Sequence, residues 1–279
     1  MSRIAALFAD LKRQGRGGLG VFITAGDPDL ETSYRILKGL PEAGADMIEF
    51  GMPFSDPMAD GPSVQASGQR ALKNGITLDA TLGLVRRYRD ESGDDTTPIL
   101  LMGYYNIIYQ RGPELFCKQA AAAGVDGLIV VDLPPEEAGE LKPHAQRCDI
   151  DTVMLTAPTT DAKRLPSILE YASGFIYNVA VLGVTGTRSA TDEHIRNMIS
   201  HVRAHTELPL AVGFGIRTPQ QAATISSIAD AAIVGSAVVD KVRDGLDASG
   251  KPTPGLVDGV LSYVRELAAG VRGGKRAAE

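Results

Sequence analysis

The sequence has no tryptophan, two cysteines, four histidines, and aromatic residues at only 5% of its 279 positions. Each scarcity removes a class of chemistry. Cys117 and Cys148 fall in segments expected to be helical and lack metal-ligand spacing, which predicts free thiols in a reducing compartment and no disulfide framework. His144, His194, His201 and His205 lie in expected outer helices, and no His, Cys, Asp or Glu cluster has ligand spacing, so no metal is expected. His201 and His205 are one helical turn apart, but their helix is polar and reads as a solvated face. No apolar run approaches the ~20 residues that a bilayer span needs. A net charge of -6 without a basic cluster in the body argues against nucleic acid or an anionic membrane as partner. There is no Gly-x-Ser-x-Gly elbow, no Gly-x-Gly-x-x-Gly after the first strand, and no lysine within an expected strand. These absences disfavour a serine hydrolase, a dinucleotide enzyme and a Schiff-base aldolase.

Eight short apolar runs, at residues 19–25, 46–52, 98–104, 127–132, 152–156, 174–179, 209–214 and 231–234, alternate with helix candidates. The candidates include residues 32–43, 112–123, 135–147, 161–171, 192–204 and 219–228. Thr160-Asp161, Thr191-Asp192 and Thr218-Pro219 supply start signals. Ala43-Gly44-Ala45-Asp46 and Ala123-Gly124-Val125-Asp126 read as helix C-caps leading into strands. Residues 1–14 carry Ile4, Leu7, Phe8 and Leu11 at helical spacing, interrupted by Asp10 and followed by no small-residue cleavage site. This segment is expected to be a mature amphipathic helix, and the protein cytoplasmic. Eight βα units predict an α/β chain with a single (β/α)8 TIM barrel over residues 1–270. The barrel has an extra N-terminal helix, a short phosphate-binding helix after strand eight, and a disordered tail at 271–279 that includes Arg272, Lys275 and Arg276. A doubly wound open sheet has the same local pattern, although it needs fewer alternations.

Residues 46–62 hold the chemical anomaly. Glu49 sits among Met47, Ile48 and Phe50, where a carboxylate is excluded from a core unless it is paired or active. It either faces a polar sheet end, bonds a buried amide, or takes part in chemistry. Asp56 and Asp60 follow in a loop restricted by Pro53, Pro57 and Pro62. Other unusual residues fall at strand ends, where barrel enzymes place their catalytic groups: Thr24, Tyr104, Asp132 and the Gly/Thr loop after strand six. Gly213-Phe214-Gly215 and Gly235-Ser236 follow strands seven and eight. Glycine turns and a helix N-terminus at Ser236 suit a phosphate, although each turn alone also fits close strand–helix packing. The remaining chemistry is carboxylate acid/base catalysis on a small phosphorylated substrate, without metal or organic cofactor.

The run Glu49-Phe50-Gly51-Met52-Pro53-Phe54-Ser55-Asp56-Pro57-Met58-Ala59-Asp60-Gly61-Pro62 closely resembles the signature of the tryptophan synthase alpha subunit family. The resemblance extends through Phe22-Ile23-Thr24-Ala25-Gly26-Asp27-Pro28, Tyr104-Tyr105-Asn106, Val131-Asp132-Leu133-Pro134, Gly174-Phe175-Ile176-Tyr177, Gly183-Val184-Thr185-Gly186, Gly213-Phe214-Gly215-Ile216 and Val234-Gly235-Ser236-Ala237. It implies a TIM barrel that cleaves indole-3-glycerol phosphate to indole and glyceraldehyde 3-phosphate. By that resemblance Glu49 protonates indole C3 and removes the side-chain hydroxyl proton, its pKa raised by burial. Asp60 stays ionised and accepts the indole N–H. Tyr177 positions Glu49 or is a core tyrosine. Phe22, Tyr104 and Phe214 wall the indole, and Gly186, Gly215, Gly235 and Ser236 hold the phosphate.

The resemblance also implies a pyridoxal-phosphate beta subunit as partner, in a complex of two alpha and two beta chains through which indole passes directly. Asp56 and Thr185 would lie on the loops that close the site and couple the subunits, and this chain would carry no cofactor. Two positions depart from the family pattern: Ile107 stands where a proline is usual, and Ala180 where a serine is usual. A free-standing indole-releasing lyase and a non-catalytic regulatory partner of beta remain alternatives.

Overall fold

The apolar runs pair in chain order and close on themselves. The computed structural model describes residues 1–180, 192–213 and 215–274. Its parallel strands are β1 (Gly18–Thr24), β2 (Met47–Gly51), β3 (Ile99–Gly103), β4 (Gly127–Val130), β5 (Asp151–Thr156), β6 (Ile176–Val179), β7 (Leu210–Gly213) and β8 (Ala231–Val234). Every strand end lies within two residues of the expected bound. Pairing of β1 with β8, Gly18 opposite Ala231 and Val21 opposite Val234, closes the barrel and excludes the open sheet.

The helices are α1 (Arg3–Gln14), α2 (Leu30–Gly39), α3 (Pro62–Lys73), α4 (Leu78–Ser92), α5 (Tyr105–Arg111), α6 (Pro113–Ala123), α7 (Lys142–Arg147), α8 (Leu165–Tyr171), α9 (Asp192–Arg203), α10 (Pro219–Ile228), α11 (Ser236–Asp244) and α12 (Leu256–Gly273). Alternation along the strands divides the core into two layers. Met47, Leu100, Ile129, Val153 and Ala211 point into the barrel, where Ile4, Phe8 and Leu11 of α1 join them. Phe8 meets Phe175 with ring centroids 5.6 Å apart, so the N-terminal helix plugs the mouth opposite the βα loops. Ile48, Leu101, Leu128 and Leu210 point outward into the helical layer.

Four helix boundaries differ from expectation. The helix expected at 32–43 is α2, which stops at Gly39 and gives way to turns at 40–44, because Pro41 has no N–H to extend it. Residues 135–147 form a 3-10 turn (Ala138–Glu140) and then α7, because Pro143 has no N–H to continue a preceding helix. Asp161 accepts the Lys163 and Arg164 amides at 3.0 and 2.8 Å in a turn of its own, and α8 begins only at Leu165. Helix α12 runs to Gly273, with Val271 buried, so residues 271–273 are helical and not tail, while 275–279 lie outside the described residues. Helix α10 has the expected bounds, with a capping box between Thr218 and Gln221.

The Ala-Gly-x-Asp segments serve two purposes. Gly124 caps α6 at φ 91° as expected, whereas Gly44, at φ 103°, is not a helix cap: α2 has already ended at Gly39, and Gly44 closes the turn that follows; both φ values are costly for residues with a Cβ. The aspartates that follow bind the start of the preceding strand: Asp46 accepts the Leu19 amide and Asp126 the Ile99 amide, each at 2.8 Å. Asp230 does the same for Leu210 at 2.8 Å, and Ser173 for Thr152 at 2.9 Å. One polar side chain ahead of each even strand thus ties down the odd strand before it. Among the described residues, no helix is long and apolar enough to cross a membrane.

Candidate active site

In β2 the side chains of Met47 and Glu49 fall on the barrel-interior face, and Glu49 is in register with Phe22 on β1 and Leu100 on β3. It is completely buried, and neither carboxyl oxygen has a hydrogen-bond partner among the described residues. Its complete burial excludes a solvent-facing sheet end, and among the described residues no amide bonds it. Loss of hydration pushes its pKa from 4.5 up to about 8. Tyr177, on β6, is buried near it; burial and the Glu49 charge raise the phenol well above its ordinary value. Its hydroxyl occupies the space over Gly213, where an added Cβ would lie 2.0 Å from the oxygen. Gly213 makes room for the tyrosine, a role the sequence pattern alone does not reveal.

The loop after β2 folds back over the barrel, and Phe22, Phe54, Asp60, Met102 and Tyr104 line one cleft. The Tyr104 hydroxyl accepts the Ala59 N–H at 2.9 Å and favours the charged form of the Asp60 carboxyl. Its ring packs on Phe54 with centroids 5.2 Å apart. Burial raises Asp60 to about 6, and the Tyr104 bond opposes that rise. Tyr104, itself pushed up to about 12, thus holds the loop as well as lining the cleft. The only sequence signal for this second role is chemical: a tyrosine facing an enclosed site needs a partner for its hydroxyl. Phe22 is confined on two sides, since a Cβ on Gly51 would meet its ring at 2.6 Å and one on Gly235 would approach its Cβ at 3.4 Å.

Asp56 stands apart from this group. It is exposed on the outer turn of the loop, where the Ser55 hydroxyl donates to it. Asp132 is structural: its carboxylate accepts the Tyr105 amide at 2.7 Å and caps α5. The loop's far end is braced from β1. Arg70 on α3 donates to buried Asp27 at 2.7 and 2.8 Å, and the Thr24 and Ser67 hydroxyls are bonded at 2.6 Å.

Gly215 follows β7, and Gly235 and Ser236 follow β8, the strand paired with it. Gly215 has φ of 74° and open space where a side chain would stand. Gly235 precedes α11, and its carbonyl accepts the Val238 and Val239 amides at 2.8 and 3.1 Å. The Ser236 and Ala237 amides belong to the first turn of α11, where the helix itself offers no carbonyl partners. Gly186, Thr185 and Phe214 lie outside the described residues. No group of three or more potential metal ligands occurs among the described residues.

The chain matches the family model of the tryptophan synthase alpha chain over residues 8–258. It belongs to the tryptophan synthase alpha chain family. A tryptophan synthase alpha chain from Acidiphilium cryptum (strain JF-5) is 56% identical over 278 residues, covering 100% of both chains. The crystal structure of tryptophan synthase subunit alpha from Legionella pneumophila str. Paris superposes with a TM-score of 0.88 at 36% identity, covering 98% of this chain and 99% of that one. A structure of Mycobacterium tuberculosis tryptophan synthase gives 0.87 at 33% identity over 97% and 98%. Against the usual tryptophan synthase alpha pattern, Ile107 keeps an amide that donates to the Tyr104 carbonyl at 3.3 Å, which proline could not do. Ala180 is buried and donates its amide to Gly213 at 3.2 Å.

Proposed function

We propose that this chain cleaves indole-3-glycerol phosphate to indole and glyceraldehyde 3-phosphate by retro-aldol chemistry, as the alpha subunit of a tryptophan-forming complex. The observation that carries the proposal is Glu49, a carboxyl without a hydrogen-bond partner among the described residues, completely buried, and protonated up to about pH 8. Such a group has little structural use and can both give and take a proton near neutrality. Protonated Glu49 donates to indole C3, and the ring becomes an electron sink. The pair of the breaking carbon–carbon bond returns to the ring while the Glu49 carboxylate takes the hydroxyl proton and the aldehyde forms. Glu49 ends as it began. Ionised Asp60 accepts the indole N–H and balances the positive charge on the protonated ring. Gly215, Gly235 and Ser236 hold the phosphate, with Gly186 completing the cradle. Phe22, Tyr104 and Phe214 wall the indole.

These steps use no cofactor of this chain. The pyridoxal phosphate belongs to the beta partner, in a cytoplasmic assembly of two alpha and two beta chains, with Asp56 and Thr185 on the closing loops. The test is indole release from indole-3-glycerol phosphate by the purified chain, with and without a tryptophan synthase beta subunit. Slow release that rises strongly with beta is expected. Fast release without beta would instead mark a free-standing lyase, and no release under either condition would leave a regulatory partner or a different phosphorylated substrate.

A further inference from the structure

The phosphate cradle and the Asp60 loop meet at one carboxylate that takes no part in the chemistry proposed above. Asp240 lies on α11, one helical turn after Ser236 and on the same face. Its Oδ1 accepts the Ser63 hydroxyl at 2.7 Å, and Ser63 stands in the first turn of α3, just beyond Asp60. The same oxygen accepts Arg243 Nη1 at 2.9 Å, and Oδ2 accepts Arg217 Nη1 at 3.2 Å. Arg217 follows Gly215 by two residues, and its backbone is itself fixed: its amide donates to Gln221 at 2.7 Å and its carbonyl accepts the Tyr263 hydroxyl at 2.7 Å. Only 14% of the Asp240 side chain is exposed, and its bond to Ser63 is partly buried, whereas Arg217 and Arg243 reach it from solvent.

We propose that Asp240 is a positioning residue that holds the Gly215 turn, the start of α11 and the start of α3 in one register, so that phosphate binding and Asp60 placement are set together. The argument is one of geometry. The three segments leave different strands, β7, β8 and β2, and the barrel sheet alone does not fix how their loops sit against one another. A cradle of first-turn amides binds a phosphate well only if the facing turn keeps its spacing, and small displacements at a reacting centre are costly in rate. A carboxylate on α11 that accepts Ser63 from α3 and Arg217 from the Gly215 turn supplies that spacing. Arg217 and Arg243 offset its negative charge, which would otherwise oppose an anion bound one turn away.

The inference rests on the proposed phosphate site, and the experiment separates the two. Indole release is measured for the wild-type chain, Asp240→Ala, Asp240→Asn and Ser63→Ala, each with beta subunit present. Inhibition by glycerol 3-phosphate probes the phosphate half alone, and thermal melting monitors folding. For Asp240→Ala we expect KM and the glycerol-phosphate inhibition constant to rise together, about tenfold, with kcat falling several-fold. Asp240→Asn keeps an acceptor for Ser63 and should recover most of kcat. Ser63→Ala should lower kcat and leave glycerol-phosphate inhibition within about twofold of wild type. Kinetic constants unchanged in Asp240→Ala and Ser63→Ala, with or without a fall in melting temperature, would overturn the positioning role while leaving the phosphate site intact. A wild-type chain that releases no indole and ignores glycerol 3-phosphate would overturn the site reading and this inference together.

Discussion

The Tyr104 hydroxyl accepts the Ala59 amide at 2.9 Å and favours the charged form of Asp60, so one side chain from the end of β3 holds the backbone and bears on the charge of the loop after β2. Tyr104→Phe keeps the ring and removes both contacts. The lost donor had stabilised ionised Asp60, so the carboxyl pKa should rise from about 6 and the acidic limb of kcat/KM should move to higher pH. At neutral pH the loss should be about tenfold, read from pH profiles of both proteins. An acidic limb that stays in place would detach Tyr104 from Asp60.

Glu49→Gln should fold and lose cleavage by about a thousandfold or more, in single-turnover indole release. It should also change the pH dependence of stability. The folded carboxyl titrates near 8 and the unfolded one near 4.5, so the unfolded chain gives up its proton first. Stability is therefore lost as pH climbs through that window, by an amount on the order of 4 kcal/mol. In Glu49→Gln this part of the slope should vanish, which denaturant titrations at pH 5 to 8 would reveal.

The wild-type kcat/KM should be bell-shaped, rising as Asp60 ionises near 6 and falling as Glu49 ionises near 8. The alkaline limb belongs to Glu49 in this scheme. It should persist in Tyr104→Phe, and an alkaline limb that moved with that substitution would reassign it.

Gly213→Ala places a methyl where the Tyr177 oxygen now lies. The tyrosine, enclosed by β6 and β7, can escape only by displacing core neighbours, at about 1–3 kcal/mol of stability. A kcat/KM loss well beyond the stability loss would show that the tyrosine's placement matters to Glu49. Equal activity in Gly213→Ala and wild type would reduce Tyr177 to core filler.

Arg70→Ala leaves buried Asp27 without its cation and should destabilise the fold by about 3 kcal/mol in urea unfolding. Burial already raises the Asp27 pKa despite the arginine, so the variant should recover part of its loss at acid pH, where the carboxyl is neutral. An effect independent of pH would mean that the pair acts only through packing.

Several of these relationships could be anticipated from the chain alone. The eight apolar runs, the N-terminal stripe of Ile4, Phe8 and Leu11, and the Thr218 capping box are local patterns, and strand and helix periodicity translates them directly into elements. Glu49 stood out for the same reason: a carboxylate at an inward position of an apolar strand conflicts with its surroundings whatever the rest of the fold does. The break within residues 135–147 is also local physics, since Pro143 sits inside an otherwise helical pattern.

Other features depend on closure. The spacing of Gly213 and Tyr177 acquires meaning only once β6 and β7 pair, with Tyr177 beside Ala211 and Val179 beside Gly213. Asp240 and Ser63 are 177 residues apart, and no pattern around either suggests a bond. The pKa of Glu49 likewise comes from how completely the surrounding strands exclude water, a property of the assembled interior. Local composition decides which segments become strands and helices, because propensity and periodicity act over a few residues. The partners across the barrel, and the charge states they impose, arise only when distant segments are brought into contact and desolvated together.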